Sequence, residues 1–327
     1  MKFKKYLLIM AVLLCPVVYV LSCHNSGTKN IDNVISFDSK LSFYKLFKGN
    51  MAGLEPNNGV ETLQLSSTLF TDEAEKQRLI KLPRGRQVIL NGEGLPVFPE
   101  GTIIAKTFYY THVVNKGRQI IETRLLILRQ SKWNVATFRW NAAQNEAFLV
   151  TKGARVPIHF TNQTGKQLKI AYHIPTREEC GSCHRLNETI LPIGPKIRNL
   201  NIRVERDGKS INQLVYLMKK GIFKKTPIDA LTSLPNYHDL SLPLVQRARA
   251  YMDINCAHCH QPGGVAGHTT LNLDYKTDLD HTGIRFNKSN IIVRTAEMGE
   301  YHMPKIGTTI IDRDGVALIK KYISEIP

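Results

Sequence analysis

Residues 180–184, Cys-Gly-Ser-Cys-His, and residues 256–260, Cys-Ala-His-Cys-His, decide how this chain is organised. Each stretch holds two thiols separated by two residues and followed at once by an imidazole, which is the C-x-x-C-H pattern of covalent haem attachment. Thiols about one helical turn apart reach the two vinyl groups on one edge of a porphyrin, and the next imidazole lies under the iron. The sequence therefore predicts two covalently bound haem c groups, with His184 and His260 as axial ligands of the two irons.

Other uses of paired cysteines fit the sequence less well. A zinc ribbon separates its two pairs by about 15–20 residues, whereas about seventy residues separate these two pairs. A thioredoxin-like redox pair needs a βαβ context that the flanking residues lack, and cysteines two residues apart seldom form an unstrained disulfide. The predicted haem-bonding thiols are Cys180, Cys183, Cys256 and Cys259.

Residues 244–327 are predicted to form the second haem module. Residues 244–254 have one apolar helical face and run directly into the motif, and Asp312 is the expected N-cap of a closing helix. A Met303-Pro304 pair lies just before that helix. The arrangement resembles class I cytochromes c, which place a thioether ligand there. We expect Met303 to be the sixth ligand of the second haem.

Three other interpretations of this loop stay open. Met298 and His302 are alternative sixth ligands, because they lie close to Met303 in the sequence. Met303 is otherwise an ordinary core methionine, which is the commoner role of this residue type.

Residues 174–243 are predicted to form the first haem module. Its Gly194-Pro195 pair resembles a turn of class I cytochromes c in which the proline carbonyl accepts the Nδ1 proton of the axial histidine, here His184. A helix is expected around residues 211–220.

The two modules align as an internal repeat. Pro304 precedes the helix start at Asp312 by eight residues, and Pro235 precedes the helix start at Pro243 by the same number. The position that matches Met303 is Leu234, and a leucine side chain has no atom that binds iron.

Three outcomes therefore remain for the first iron. His238 in the same loop would give a His/His site, or Met218 on the preceding helix would reach in. Otherwise the iron is five-coordinate and open to a small ligand. His173, just upstream of the motif, is a remoter candidate.

The N-terminal end has the features of an export signal. A basic start precedes an apolar run over residues 6–21, and Ser22 and Cys23 follow. This order is typical of a secretory signal, and a small residue before cysteine is typical of a bacterial lipoprotein. We expect a signal peptide over residues 1–22, a lipid anchor on Cys23 and a tether over residues 23–40. An uncleaved N-terminal anchor is the alternative.

These features predict a protein on the periplasmic side of a bacterial membrane. No acidic residue follows Cys23 directly, and the resemblance to other lipoproteins then implies the outer membrane rather than the inner one. The chain has 44 basic and 27 acidic side chains. Because an exported protein rarely meets nucleic acid, this charge favours redox partner proteins with acidic surfaces, or anionic lipid headgroups. Solubility alone is the other explanation.

Residues 41–173 are predicted to be β-rich. Alternating apolar residues with β-branched and aromatic content mark several short strands. These strands cover residues 101–110, 121–127, 133–140 and 155–160 and a segment ending at Tyr172. Asp72, Glu73 and Glu75 are expected to form a solvated helix start. The predicted fold class is α+β, with an N-terminal antiparallel β-sandwich-like domain followed by two small all-α cytochrome c modules.

The order of these parts resembles a family of bacterial di-haem c-type cytochromes with a β-rich N-terminal region. The matching stretches are residues 41–47, 69–72, 98–102, 106–110, 122–126, 175–180, 212–214, 247–251 and 255–260. The resemblance implies haem binding and electron transfer but no particular substrate. The chain is therefore expected to carry electrons between periplasmic or membrane redox partners. A di-haem peroxidase-like enzyme or a haem-based sensor, with an open site at the first haem, is the alternative.

Overall fold

The computed structural model of the 327-residue chain describes residues 36–327, and residues Phe37–Pro327 form one compact unit. The expected signal peptide, the lipid anchor on Cys23 and most of the tether lie outside the described residues. No helix in the described part of the chain is both long enough and apolar enough to cross a membrane.

A large antiparallel sheet forms the N-terminal half of the unit. Its strands are β1 (Val60–Thr62), β2 (Glu75–Lys81), β3 (Ile103–Val113), β4 (Gly117–Arg129), β5 (Lys132–Trp140), β6 (Ala147–Val150), β7 (Ala154–Thr161) and β8 (Gln167–Ile174). The first six strands are neighbours in chain order, while β7 joins the end of β3 and pairs with β8. All the strands expected from the sequence between residues 101 and 172 are confirmed.

The two faces of the sheet contact different parts of the chain, because successive side chains of a strand point to opposite faces. One face carries Leu79, Ala105, Leu125 and Phe138 and is covered by the segment that begins at Leu41. At one end of the other face, apolar residues of β2 to β5 pack on the segment that holds the first C-x-x-C-H motif. The sheet therefore forms part of the surroundings of that motif.

The C-terminal half combines short helices with two hairpins. The helices are α1 (Arg177–His184), α2 (Ile197–Leu200), α3 (Gln213–Lys219), α4 (Leu244–Asn255), α5 (Ile284–Ala296) and α6 (Arg313–Glu325). The hairpins pair β9 (Arg185–Leu186) with β10 (Thr189–Ile190) and β11 (Arg203–Arg206) with β12 (Lys209–Asn212). The expected helices before the second motif and at the C-terminus are confirmed, and Asp312 caps α6 by accepting a hydrogen bond from Gly315 N.

The predicted fold class is wrong. The described chain is mostly β-rich, with one large connected sheet and six α-helices, and it does not contain two all-α cytochrome c modules. The hairpin of β11 and β12 explains part of the error, because Asp207-Gly208 connects the two strands. Both residues have positive φ, 52° and 71°. Asp-Gly is a strong signal for such a two-residue hairpin turn, and it lies where only helices were expected.

A buried cluster of charges joins α2 to α4 and to the loop that follows the second motif. Arg198 Nη2 lies 2.7 Å from Asp253 Oδ1 and 3.1 Å from Asp274 Oδ2, and Lys196 Nζ lies 3.1 and 3.4 Å from the same two carboxylates. Asp253 also accepts a hydrogen bond from Tyr275 N. Since Arg198 and Asp253 are almost fully buried, their charges depend on each other for compensation.

Replacing Asp253 by Asn should destabilise the protein by about 3–5 kcal/mol, because the buried Arg198 and the partly buried Lys196 lose a shared counter-charge. Guanidinium unfolding followed by circular dichroism measures this change. The control is Asp280→Asn, which removes an exposed partner of Arg285 and should change the free energy of unfolding by less than about 1 kcal/mol. Equal effects of the two substitutions would contradict a structural role of the buried cluster.

Candidate haem sites

The first C-x-x-C-H motif, residues 180–184, forms the C-terminal part of α1. A reciprocal capping box starts the helix, with Thr176 Oγ1 accepting from Glu179 N and Glu179 accepting from Thr176 N. His184 Nδ1 donates to the Leu191 carbonyl oxygen at 2.7 Å. The resemblance to class I cytochromes c implied that Pro195 would accept this proton, and that expectation is wrong. The hairpin of β9 and β10 folds the chain back so that Leu191 reaches the imidazole first.

The second motif lies at the C-terminal end of α4. His260 Nδ1 is 3.2 Å from Thr269 Oγ1, and this hydroxyl donates to the Ala266 carbonyl oxygen at 2.7 Å. The hydroxyl proton is thereby used, so His260 Nδ1 is the donor to Thr269. In both motifs the Nδ1 proton is held by a nearby group, which leaves Nε2 as the unprotonated nitrogen that a metal ion requires.

The two motifs, about seventy residues apart in sequence, meet in the folded chain. Ligand atoms of Cys183, His258 and Cys259 all lie within 4.8 Å of one another. Asn187 N, in the turn after the first motif, donates to Gly263 O at 2.7 Å, in the turn after the second. One thiol of each motif therefore faces the other motif.

All four motif cysteines are free thiols. Burial raises the pKa of Cys180, and it raises the pKa of Cys256 to about 12. The thiol of Cys183 donates to Cys259, and this hydrogen bond together with burial raises the pKa of Cys183 to about 12. The two motifs thus present reduced thiols, which is the form that adds to vinyl groups.

A cavity of about 450 Å³ lies against the second motif. Cys256, Cys259, His260 and Met303 all line it, so the four residues predicted to hold the second haem share one space. Its size lies within the usual range for cofactor pockets. Most of the lining is apolar, with contributions from Leu271, Leu273, Ile291, Ile306, Ile310 and Val316.

The loop before α6 distinguishes the three residues that the sequence offered as sixth ligands of a second haem iron. Met298 is 48% exposed and does not belong to the cavity lining. His302 lines the cavity, but its Nδ1 donates to the Glu297 carbonyl oxygen at 2.9 Å and its Nε2 lies 3.3 Å from Thr308 Oγ1. Met303 remains the candidate whose donor atom has no competing partner among these residues.

The residues considered in the sequence as possible sixth ligands of a first haem iron lie in separate parts of the fold. His238 is exposed and stacks on Tyr237, with ring centroids 4.1 Å apart. Met218 packs against the apolar cluster that contains Cys180. Leu234 is buried, and His173 Nε2 lies 2.8 Å from Glu179 Oε2. None of these four residues lines the cavity that Cys183 of the first motif shares with the second motif.

The segment over residues 66–72, which connects β1 to β2 and which we name the strap, is hydrogen-bonded to residues near both C-x-x-C-H motifs. Ser67 N donates to Asn199 Oδ1 at 2.9 Å, and Phe70 N donates to Asn255 Oδ1 at 2.8 Å. Tyr237 donates its hydroxyl proton to the Thr68 carbonyl oxygen at 2.9 Å. The strap thus fixes the sheet against both segments.

Asp72 ends the strap, and its role was missed in the sequence. Its carboxylate accepts hydrogen bonds from Thr309 N at 2.6 Å, Thr309 Oγ1 at 2.7 Å and Ile310 N at 3.2 Å. Asp72 is 1% exposed, and Glu75 belongs to β2, so the expected solvated helix start is wrong. The carboxylate anchors the end of the loop that carries Met303.

The residues fit a covalently bound haem better than a single metal ion. Cys183, His258 and Cys259 are a plausible N/S donor set for zinc, but that set leaves Cys180 and Cys256 unused. Two thiols, one free Nε2 and a mostly apolar cavity with a methionine are the parts that a haem c site needs.

No protein-family model, no curated protein and no solved structure matches this chain.

Replacing Asp72 by Asn should loosen the loop that carries Met303. Asparagine tolerates the left-handed backbone at this position, where φ is 47°, so the substitution removes the charge and one acceptor oxygen without straining the backbone. Hydrogen bonds to a charged group contribute about 1.5–3 kcal/mol, and we expect amide exchange at Thr309 and Ile310 to accelerate at least tenfold. The control is Glu73→Gln, an exposed neighbour. Unchanged exchange in Asp72→Asn would contradict the anchoring role.

Proposed function

We propose that this chain is a di-haem c-type cytochrome that transfers electrons between redox partners. The observation that carries the proposal is the meeting of two C-x-x-C-H motifs, with Cys183 and Cys259 donor atoms within 4.8 Å of each other. A bound haem c supplies a one-electron couple between ferric and ferrous iron. The signal-like N-terminus and the basic charge support export, a lipid anchor on Cys23 and partners with acidic surfaces.

The residues of the second motif have separable roles in this proposal. Cys256 and Cys259 would form the thioether bonds, and His260 would bind the iron through Nε2. Thr269 holds the Nδ1 proton, which orients the ring and sets its tautomer. Met303 would bind from the opposite side, and a thioether ligand raises the reduction potential compared with a second imidazole.

The residues of the first motif have parallel roles. Cys180 and Cys183 would form the thioether bonds, and His184 would bind the iron through Nε2 while Leu191 holds its Nδ1 proton. Because one thiol of each motif lies next to the other motif, the edges of the two porphyrins would be close. Such closeness favours rapid electron exchange within one molecule and supports a carrier.

A second function follows if the first iron has an open position. The observation that favours it is Leu234, which is buried at the position that matches Met303. An open iron would bind peroxide or another small ligand, as a di-haem peroxidase-like enzyme or a haem-based sensor requires. His238 or Met218 as a sixth ligand would exclude this function.

Spectroscopy of the purified, haem-matured protein tests the proposal. We expect two haems per chain in a pyridine haemochrome assay and two low-spin ferric irons in the EPR spectrum. The reduced protein should then not bind carbon monoxide. Fewer than two haems would contradict a di-haem cytochrome, while one high-spin iron that binds carbon monoxide would replace the carrier with the peroxidase or sensor.

Replacing Met303 by Ala should open the second iron, because no other residue of the loop has a free donor in the cavity. We expect the haem count to stay at two and one carbon monoxide molecule to bind per reduced second haem. The matched control is Met298→Ala in the same loop, which should leave the spectrum unchanged. If Met298→Ala opened the iron and Met303→Ala did not, the ligand assignment would be wrong.

A further inference from the structure

A row of cations crosses the face of the large sheet that is turned to the first motif. Arg78 of β2 pairs with Lys106 of β3, and Lys106 pairs with Arg124 of β4. Arg124 lies opposite Thr137 of β5. Because paired residues point to the same face of a sheet, these side chains form one line, which we name the cationic row (Arg78, Lys106 and Arg124).

The cationic row lies among apolar residues. Ile80, Ile104 and Leu126 follow it on one side of the same face, and Phe108 lies on the other side. Like charges directly opposite each other in a sheet are destabilising. Burial lowers the pKa of Lys106 well below its ordinary value, and repulsion from the neighbouring cations lowers it further. A compensating negative charge would remove this penalty.

No carboxylate among the described residues forms an ion pair with Arg78 or Lys106. Glu122 forms an ion pair with Arg124 and accepts the hydroxyl proton of Tyr172. The row therefore has two cations without a carboxylate partner in the described chain.

The row begins beside the first motif. Thr137 Oγ1 lies 3.8 Å from Cys180 Sγ. Neighbouring strands of a sheet lie about 4.8 Å apart. Lys106 is two strands from Thr137, at about 10 Å, and Arg78 is three strands from Thr137, at about 14 Å. A porphyrin bonded through its vinyl edge carries its two carboxylates on the opposite edge, at a comparable separation.

We propose that Arg78 and Lys106 bind the two carboxylates of the haem attached at Cys180 and Cys183. The sheet then forms a wall of the first haem site and supplies its counter-charges. This inference rests on the proposed function, since it requires a haem at the first motif. It assigns to the β-rich half a part in cofactor binding in addition to any role in partner docking.

Replacing Arg78 or Lys106 by Gln tests the inference through the reduction potentials. Loss of a cation near an iron disfavours the ferrous form, so the midpoint potential of the first haem should fall. We expect about a tenfold change in the ferric-to-ferrous ratio, which is about 59 mV for one electron. The first haem is identified as the one whose potential is unchanged in Met303→Ala. Matched controls are Lys132→Gln and Arg155→Gln, which are exposed on β5 and β7 and should leave both potentials unchanged.

Several outcomes separate this inference from its alternatives. Unchanged potentials in both Gln variants overturn the inference. It is also overturned if inorganic phosphate, added at constant ionic strength, shifts the potential of the first haem in the wild type. The cationic row would then hold a free anion instead of the haem carboxylates. If a Gln variant loses the first haem, Arg78→Lys and Lys106→Arg decide. Normal loading and potential in these charge-retaining variants support the inference, and loss of the haem overturns it. A wild-type haem count below two contradicts the proposed function itself.

Discussion

The hydrogen bond from Asn187 N to Gly263 O joins the turns that follow the two C-x-x-C-H motifs, and much of the C-terminal half depends on this close approach. Gly263 has a φ of +80°, and a Cβ at this position would collide with the Asn187 side chain. Glycine is therefore favoured by the backbone conformation, and a larger residue would also force the Asn187 side chain to move. Because the turns touch, Cys183 and Cys259 come close enough to share one site.

Two long-range contacts keep the motifs in this arrangement. The buried charges around Asp253 join α2 to α4, and the strap over residues 66–72 links the sheet to both motif segments. Helices α1, α2 and α3 are too short to be stable alone, since isolated helices below about 12–15 residues are marginal in water. Packing on the sheet must therefore stabilise the first motif, and Cys180 shares its apolar cluster with Leu126 and Val135.

The sequence predicted the local features of this structure and missed the distant ones. Alternation of apolar side chains was sufficient to predict the long strands. Asp312 was identified as an N-cap because the residues that mark the helix start lie within one helical turn of it. Asp72 was misinterpreted because its partners, Thr309 and Ile310, lie more than two hundred residues away. No pattern within a short window contains that information.

Helix α5 and the candidate sites also show which features a short stretch of sequence can predict and which it cannot. Phe286 and Val293 of α5 are exposed, so its apolar residues do not mark one face of a helix in the sequence. The motif residues were identified because chemistry fixes their spacing, and His260 and Met303 line the same cavity. The cationic row could not be found in this way, because three separate strands each contribute one ordinary basic residue.

The surroundings of the two motifs differ in a way that bears on their potentials. Met303 lines the cavity of the second motif, whereas Leu234 is the residue that the spacing in the sequence aligns with Met303. A thioether ligand favours ferrous iron, and a nearby cation favours it as well, because reduction removes a positive charge from the iron. If the first haem lacks a thioether, the cationic row would offset part of the resulting difference in potential. Two haems of similar potential at short distance exchange electrons readily in either direction, which is the behaviour that a relay between two partners requires.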